Sequence, residues 1–138
     1  MKRIFRISVF ILLITASFAG CETSPEIDPR SVFVAIYNVT ETWTENGNTM
    51  TKAPFSMTIT PSVLVEDKVL LNNFANYGAG ITAEANINGY SLTIPQQTLP
   101  NLKAIAGTGK LSDPTLNFTY TEKVNNISVE ITAIAKKK

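Results

Sequence analysis

From Ser31 to the C-terminus, no stretch of helix length repeats its apolar residues every 3.6 positions. Threonine, valine, isoleucine and aromatic residues dominate instead, and Gly, Pro, Asn and Asp interrupt them at short intervals. Alternation with a period of two places one set of side chains on a core face and the next on a solvent face, the mark of half-buried strands. β-branched and aromatic residues fit such a pleated surface. The pattern predicts an all-β domain and excludes helical bundles and βαβ folds.

Eight strands are predicted. The first spans Val32–Thr44, and Asn46-Gly47-Asn48 turns the chain into a second, Thr49–Thr60. Pro54 lies inside that second run, so it reads as an edge or a bulge. Val69–Phe74, Ile81–Asn88, Tyr90–Ile94 and Lys103–Leu111 follow. The seventh turns Leu116, Phe118 and Tyr120 inward, and the eighth Ile127, Val129, Ile131 and Ala133. Asn88-Gly89 suits the two central positions of a type I′ turn, where both φ angles are positive. That turn pairs Ile87 with Tyr90, Ala85 with Leu92 and Ala83 with Ile94, all on one face. Pro95 to Leu102 reads as the longest connection. Short connections make sequential strands neighbours, and a meander loses its exposed edges most simply by closing. An eight-stranded antiparallel up-and-down barrel or half-barrel is therefore expected, with a β-sandwich as the alternative.

The first 20 residues differ from the rest. Lys2, Arg3 and Arg6 precede an apolar run, Ile7 to Phe18, which ends at Ala19, Gly20 and the only cysteine, Cys21. Those 12 apolar-rich positions fall short of the about 20 that a spanning helix needs, but match a signal-peptide core of about 7–15. Phe18-Ala19-Gly20-Cys21 resembles the lipobox of bacterial lipoproteins. The resemblance implies cleavage before Cys21, a diacylglyceryl group on its sulfur and acylation of its new α-amine. Residues 1–20 are then a signal peptide, and 21–30 a tether rich in Pro and acids. Residues 31–138 form one all-β domain. Acidic residues soon after the cysteine also resemble the surface-export signal of Bacteroidota lipoproteins. Strand order and spacing, in Tyr37 to Trp43, Asn73-Phe74 and Tyr90 to Gln97, resemble the small lipocalin-like lipoproteins of that group. Together these imply an outer-membrane location, facing the periplasm or the cell surface.

Composition narrows the chemistry. The 138 residues carry 12 basic and 11 acidic side chains and no histidine. Without Lys2, Arg3 and Arg6, nine basic residues remain against 11 acidic ones, which argues against a nucleic-acid partner. Lack of histidine removes the commonest general base and metal ligand, so a non-enzymatic role without cofactor or metal is expected. A lone cysteine excludes a disulfide framework. Ala104 to Lys110 approaches a phosphate-binding loop, but Leu111 replaces the magnesium-binding hydroxyl. Gly107 and Gly109 are better read as relieving strand curvature. Most carboxylates, Glu122 and Glu84 among them, read as solvated. Glu41 shares strand parity with Tyr37, Val39 and Trp43, so it would need a partner if that face were interior. The preferred reading lets its strand end protrude. Tyr37, Trp43, Tyr77, Tyr90 and Tyr120 could line a ligand site, with core packing as the alternative for each.

Two roles follow. The first is a membrane-anchored binding module for a small apolar or amphipathic ligand inside the barrel or at its mouth, needing a cavity of roughly 300 Å³ or more. The second is a structural or interaction protein that meets another envelope protein. It needs an exposed apolar patch or a free strand edge, near Pro54 or along the first strand.

Overall fold

The computed structural model describes residues 27–138. The signal segment, the lipobox and Cys21 lie outside the described residues. Nine antiparallel strands form one sheet: β1 (Ala35–Glu45), β2 (Asn48–Thr51), β3 (Phe55–Pro61), β4 (Lys68–Asn72), β5 (Thr82–Asn88), β6 (Ser91–Thr98), β7 (Ala104–Ser112), β8 (Thr115–Val124) and β9 (Ile127–Lys137). β1 pairs with β9 from Tyr37↔Lys137 to Trp43↔Ile131, which closes the sheet. The result is an eight-stranded barrel with β2 as an extra ribbon on β1, and the sandwich alternative is excluded.

The expected second strand is in fact two. Lys52–Pro54 interrupts it, because proline has no N–H for the ladder. β2 pairs with the upper half of β1 and β3 with its lower half. The β1–β2 and β8–β9 turns place positive φ at both central residues, Asn46-Gly47 and Asn125-Asn126. That is the two-residue geometry whose twist matches the flanking strands.

The Asn88-Gly89 turn differs from expectation. Gly89-Tyr90 takes the two central positions, with positive φ at Gly89 alone. Ile87 therefore pairs with Leu92 and Asn88 with Ser91. A shift of two leaves Ala83, Ala85, Ile87, Leu92 and Ile94 on their expected face, because the side-chain period is two, but moves Tyr90 out of the strand into the turn, where it is exposed. β6 also runs on through Pro95 instead of ending at Ile94, with a bulge between Ile94 and Gln97. Beside the bulge, the Gln97 amide stands in for a backbone peptide. It accepts from the Glu84 N–H at 2.9 Å and donates to the Glu84 carbonyl at 2.8 Å.

One contiguous core fills the barrel. Tyr37, Val39, Met57, Ile59, Leu71, Leu92, Ile94, Ile105, Leu116, Phe118 and Tyr120 are all buried in it, with alanines on β5 and β9. An eight-stranded barrel is just wide enough for side chains to fill. Phe33 and Phe74, both fully buried, enter from the segments before β1 and after β4. Phe74 meets Tyr120 edge-on at 4.8 Å between ring centres, and Phe118 lies 6.0 Å from Tyr120. Gly107 and Gly109 let β7 approach those rings. A Cβ on Gly107 would lie 2.6 Å from the Tyr120 Cβ, and one on Gly109 2.5 Å from that of Phe118.

The ends differ. At the first, Asp28 caps a 3-10 turn at Pro29–Val32, and Arg30 donates to the carbonyls of Ser62 and Val65. Residues 28–30, read from sequence as tether, are thus built into the fold. The β1–β2 and β8–β9 hairpins mark the other end.

Candidate site at the barrel mouth

β1 and β8 both pair with β9 and run toward the mouth, each with alternate residues inward. On β1 the inward set is Tyr37, Val39, Glu41 and Trp43, and on β8 it is Leu116, Phe118, Tyr120 and Glu122. Both rows begin apolar and become polar near the mouth. Two carboxylates thus arrive there on the two strands that flank β9, and each is held by one lysine and one phenol.

Glu41 is only 1% exposed. The expectation that its strand end protrudes is therefore corrected: it lies below the rim. The Tyr120 hydroxyl donates to Glu41 Oε1 at 2.9 Å, and Lys52 Nζ donates to Oε2 at 3.1 Å. Lys52 comes from the Pro54 interruption and also donates to the Ala75 carbonyl at 2.6 Å. Ala75 has φ +52°, a left-handed conformation costing about 1–2 kcal/mol for a residue with a Cβ. That strained turn aims its carbonyl at the ammonium and seats Phe74 in the core.

Glu122 repeats the pattern. Lys103 Nζ donates to its Oε1 at 2.6 Å and to the Tyr77 hydroxyl at 3.0 Å, and the Tyr77 hydroxyl donates to Glu122 Oε2. The Tyr77 ring links both groups, with Lys103 Nζ 4.3 Å and Lys52 Nζ 5.1 Å from its centre. Cations over an aromatic face gain from its quadrupole. Burial, then the charge and hydrogen bond of Glu41, raises the Tyr120 phenol well above its ordinary range. Burial, then the Glu122 hydrogen bond, does the same at Tyr77. Both phenols are therefore fixed as protonated donors. Among the described residues, no buried side-chain nitrogen or oxygen lacks a partner, and no group of acidic side chains is placed to hold a metal.

Above the cluster lies an open cleft of about 190 Å³, lined by Glu41, Trp43, Lys52, Tyr77, Glu122, Val129 and Ile131. Its walls are apolar and its floor carries the ion pairs. An ammonium has three donors, and Lys52 uses two of them, on Glu41 and Ala75. Among the described residues its third donor has no partner, and Lys52 lines the cleft. Beyond Trp43↔Ile131 the pairing of β1 with β9 stops. The two hairpins flank a further groove of about 440 Å³, lined by Thr42, Trp43, Thr44, Thr49, Ser128, Val129, Glu130 and Thr132. Trp43 borders both spaces.

The aromatic residues singled out from sequence do not converge. Trp43 and Tyr120 reach the mouth, Trp43 as a wall and Tyr120 beneath it as a buried donor. Tyr37 is fully buried near the opposite end, where its hydroxyl donates to the Phe33 carbonyl at 2.9 Å. Tyr90 sits in the β5–β6 turn, 58% exposed and remote from the mouth. Tyr77 does belong to the cluster. Sequence reasoning missed Lys52, Lys103 and Glu122. Only the β8 parity carried a signal, since Glu122 continues the inward row of Phe118 and Tyr120.

No protein-family model and no curated protein matches the chain. Among solved structures, it is similar to a "putative outer membrane protein" from Bacteroides fragilis, with 18% sequence identity and a TM-score of 0.54. The match covers 80% of this chain and 53% of that one, so the chain spans about half the length of its neighbour. Likeness at that identity establishes the shared barrel fold.

Proposed function

We propose that this protein is a cell-envelope lipoprotein, held in the outer membrane by acyl chains on Cys21, and that it binds its ligand non-covalently at the mouth of the barrel. One observation carries the reading: the interior is packed with side chains, while the only tryptophan borders an open cleft with a spare ammonium donor. A filled barrel favours surface binding over enclosure. The cleft alone is smaller than the roughly 300 Å³ of an ordinary ligand pocket, so the bound group must also use the groove between the hairpins. The ligand is amphipathic, with an apolar face for Trp43 and Val129 and an acceptor for Lys52. Catalysis is disfavoured because each carboxylate is tied to a lysine and a phenol. The outer-membrane description of the Bacteroides neighbour agrees with an envelope location, and the lipobox gives the means of attachment. Two acyl chains suffice for stable anchoring, whereas one holds only marginally.

Trp43 is a built-in reporter. Titration with solubilised envelope fractions should shift its emission, and a Lys52→Met variant should weaken that response about tenfold or more, as expected when a charged hydrogen bond is lost. An emission unmoved by every fraction would count against a site at the mouth. Intact-mass analysis of the protein from its native membrane should give a chain that starts at Cys21 with added acyl mass. A chain retaining residues 1–20, or an unmodified Cys21, would overturn the anchor.

The alternative, an interaction subunit of the envelope, draws support from the free outer edge of β2. All four of its residues are exposed, and among the described residues it pairs with β1 alone. Unpaired edges accept an added strand from a partner.

A further inference from the structure

The end opposite the mouth carries an unusual loop. Val63 is 95% and Leu64 89% exposed, and Val65, beside them between β3 and β4, is also exposed. Loop tips are normally built from Gly, Pro, Asn, Asp and Ser. Adjacent large aliphatic side chains standing in water mark an interaction surface.

This loop is held in shape. The Ser62 hydroxyl accepts from the N–H groups of Leu64 and Val65 at 3.2 and 3.3 Å. Arg30 clamps the carbonyls of Ser62 and Val65 at 2.7 and 3.1 Å. With the backbone so tied, the aliphatic side chains are presented outward.

The clamp also fixes where the chain leaves the fold. Arg30 lies three residues from Ile27, itself 78% exposed. From Ile27 back to Cys21 there are six peptide steps, which span at most about 20 Å when fully extended. Acyl chains on Cys21 therefore confine the bilayer to the neighbourhood of this loop. Charge is nearly balanced at this end: Arg30, Lys68, Lys110, Lys136, Lys137 and Lys138 stand against Asp28, Glu66, Asp67, Glu84 and Asp113. Attraction to anionic lipid is thus not the main force, and apolar insertion is.

We propose that Val63, Leu64 and Val65 insert into the lipid surface as a second contact beside the acyl chains, fixing the barrel upright with its mouth away from the bilayer. This inference rests on the proposed anchor at Cys21.

The test uses the full chain, purified from membranes and reconstituted in phosphatidylethanolamine–phosphatidylglycerol vesicles with brominated acyl chains. Trp43→Phe removes the native indole, and Leu64→Trp places one at the loop, where an exposed side chain leaves the core untouched. Thr49→Trp in the same background reports on the mouth. The expected result is loss of most emission, with a blue shift, for Leu64→Trp and little change for Thr49→Trp. Raised salt should not reverse it. Intact mass of the same sample reports on Cys21 independently. An acylated protein whose Leu64→Trp indole stays bright overturns docking and leaves the anchor standing. An unacylated protein with a bright indole overturns both. Self-association through the loop, seen as concentration-dependent dimers with no quenching, assigns the patch to a second copy and also overturns docking.

Discussion

Gly107→Ala tests how the barrel comes to be full. The new Cβ would meet the Thr119 carbonyl oxygen at 2.5 Å, the Tyr120 Cβ at 2.6 Å and the Tyr120 Cα at 2.8 Å. None of these atoms ends a flexible side chain, so β7 and β8 must separate by several tenths of an ångström. Overpacking of that kind costs about 1–3 kcal/mol. Loss of unfolded-state entropy offsets about 0.4–1 kcal/mol, and the net effect is about 1–2 kcal/mol of destabilisation. For a domain near 100 residues, the melting temperature should fall by roughly 4–16 °C. In a strand with ordinary spacing the sign reverses, because alanine suits a strand better than glycine. Urea unfolding followed by circular dichroism, with unchanged slope, decides between them. A variant as stable as the parent, or more stable, would refute the argument that close approach of β7 sets the Phe118 and Tyr120 positions. Gly109→Ala should behave alike, and the two costs should not add, since one separation of the strands relieves both.

Three further outcomes are expected. Tyr120→Phe removes a buried donor from Glu41 and should cost about 1.5–3 kcal/mol. In a double-mutant cycle, Glu41→Leu should then cost less in the Tyr120→Phe background than alone, and strict additivity would deny the coupling. Stability should fall at alkaline pH. Burial, aided by the charge of Asp113, pushes the Tyr37 phenol up to about 12, from an ordinary value of 10.0, and Tyr77 and Tyr120 are raised as well. Above pH 10 the folded chain then binds more protons than the unfolded one, so stability is full below that pH and is lost as pH rises toward the folded values. Denaturant midpoints across the alkaline range check this, and Tyr37→Phe should shallow the decline. Gln97→Ala should cost about 0.5–1 kcal/mol, because water can take the exposed Glu84 peptide groups that it frees, with increased hydrogen exchange at the Glu84 amide as the readout.

Much of the fold was legible along the chain. The inward residues of β5 and β8 alternate without interruption, and the Asn-Gly and Asn-Asn pairs announce their turns. Errors arose where one residue type carried two meanings. Gly89 was expected at the second central position of its turn and occupies the first, and since either choice keeps the faces of Ala83, Ala85, Ile87, Leu92 and Ile94, the alternation could not distinguish them. Pro95 reads as a strand end, yet the strand continues because the Gln97 side chain replaces a lost peptide contact. Lys52 and Lys103 lie beside Pro54 and at the start of β7, where nothing nearby marks them as different from solvated lysines.

The sequence by itself determined an all-β antiparallel meander and, for β3, β5 and β8, which side chains face inward, because a period of two is a property of neighbours. Only the tertiary structure decided that Glu41 meets Tyr120 across 79 positions, that Phe74 completes the core, and that Tyr90 stands at the far end from Trp43. Those outcomes depend on barrel closure and on how deep each side chain sits along the axis. Alternation fixes inside against outside, and carries no information on depth.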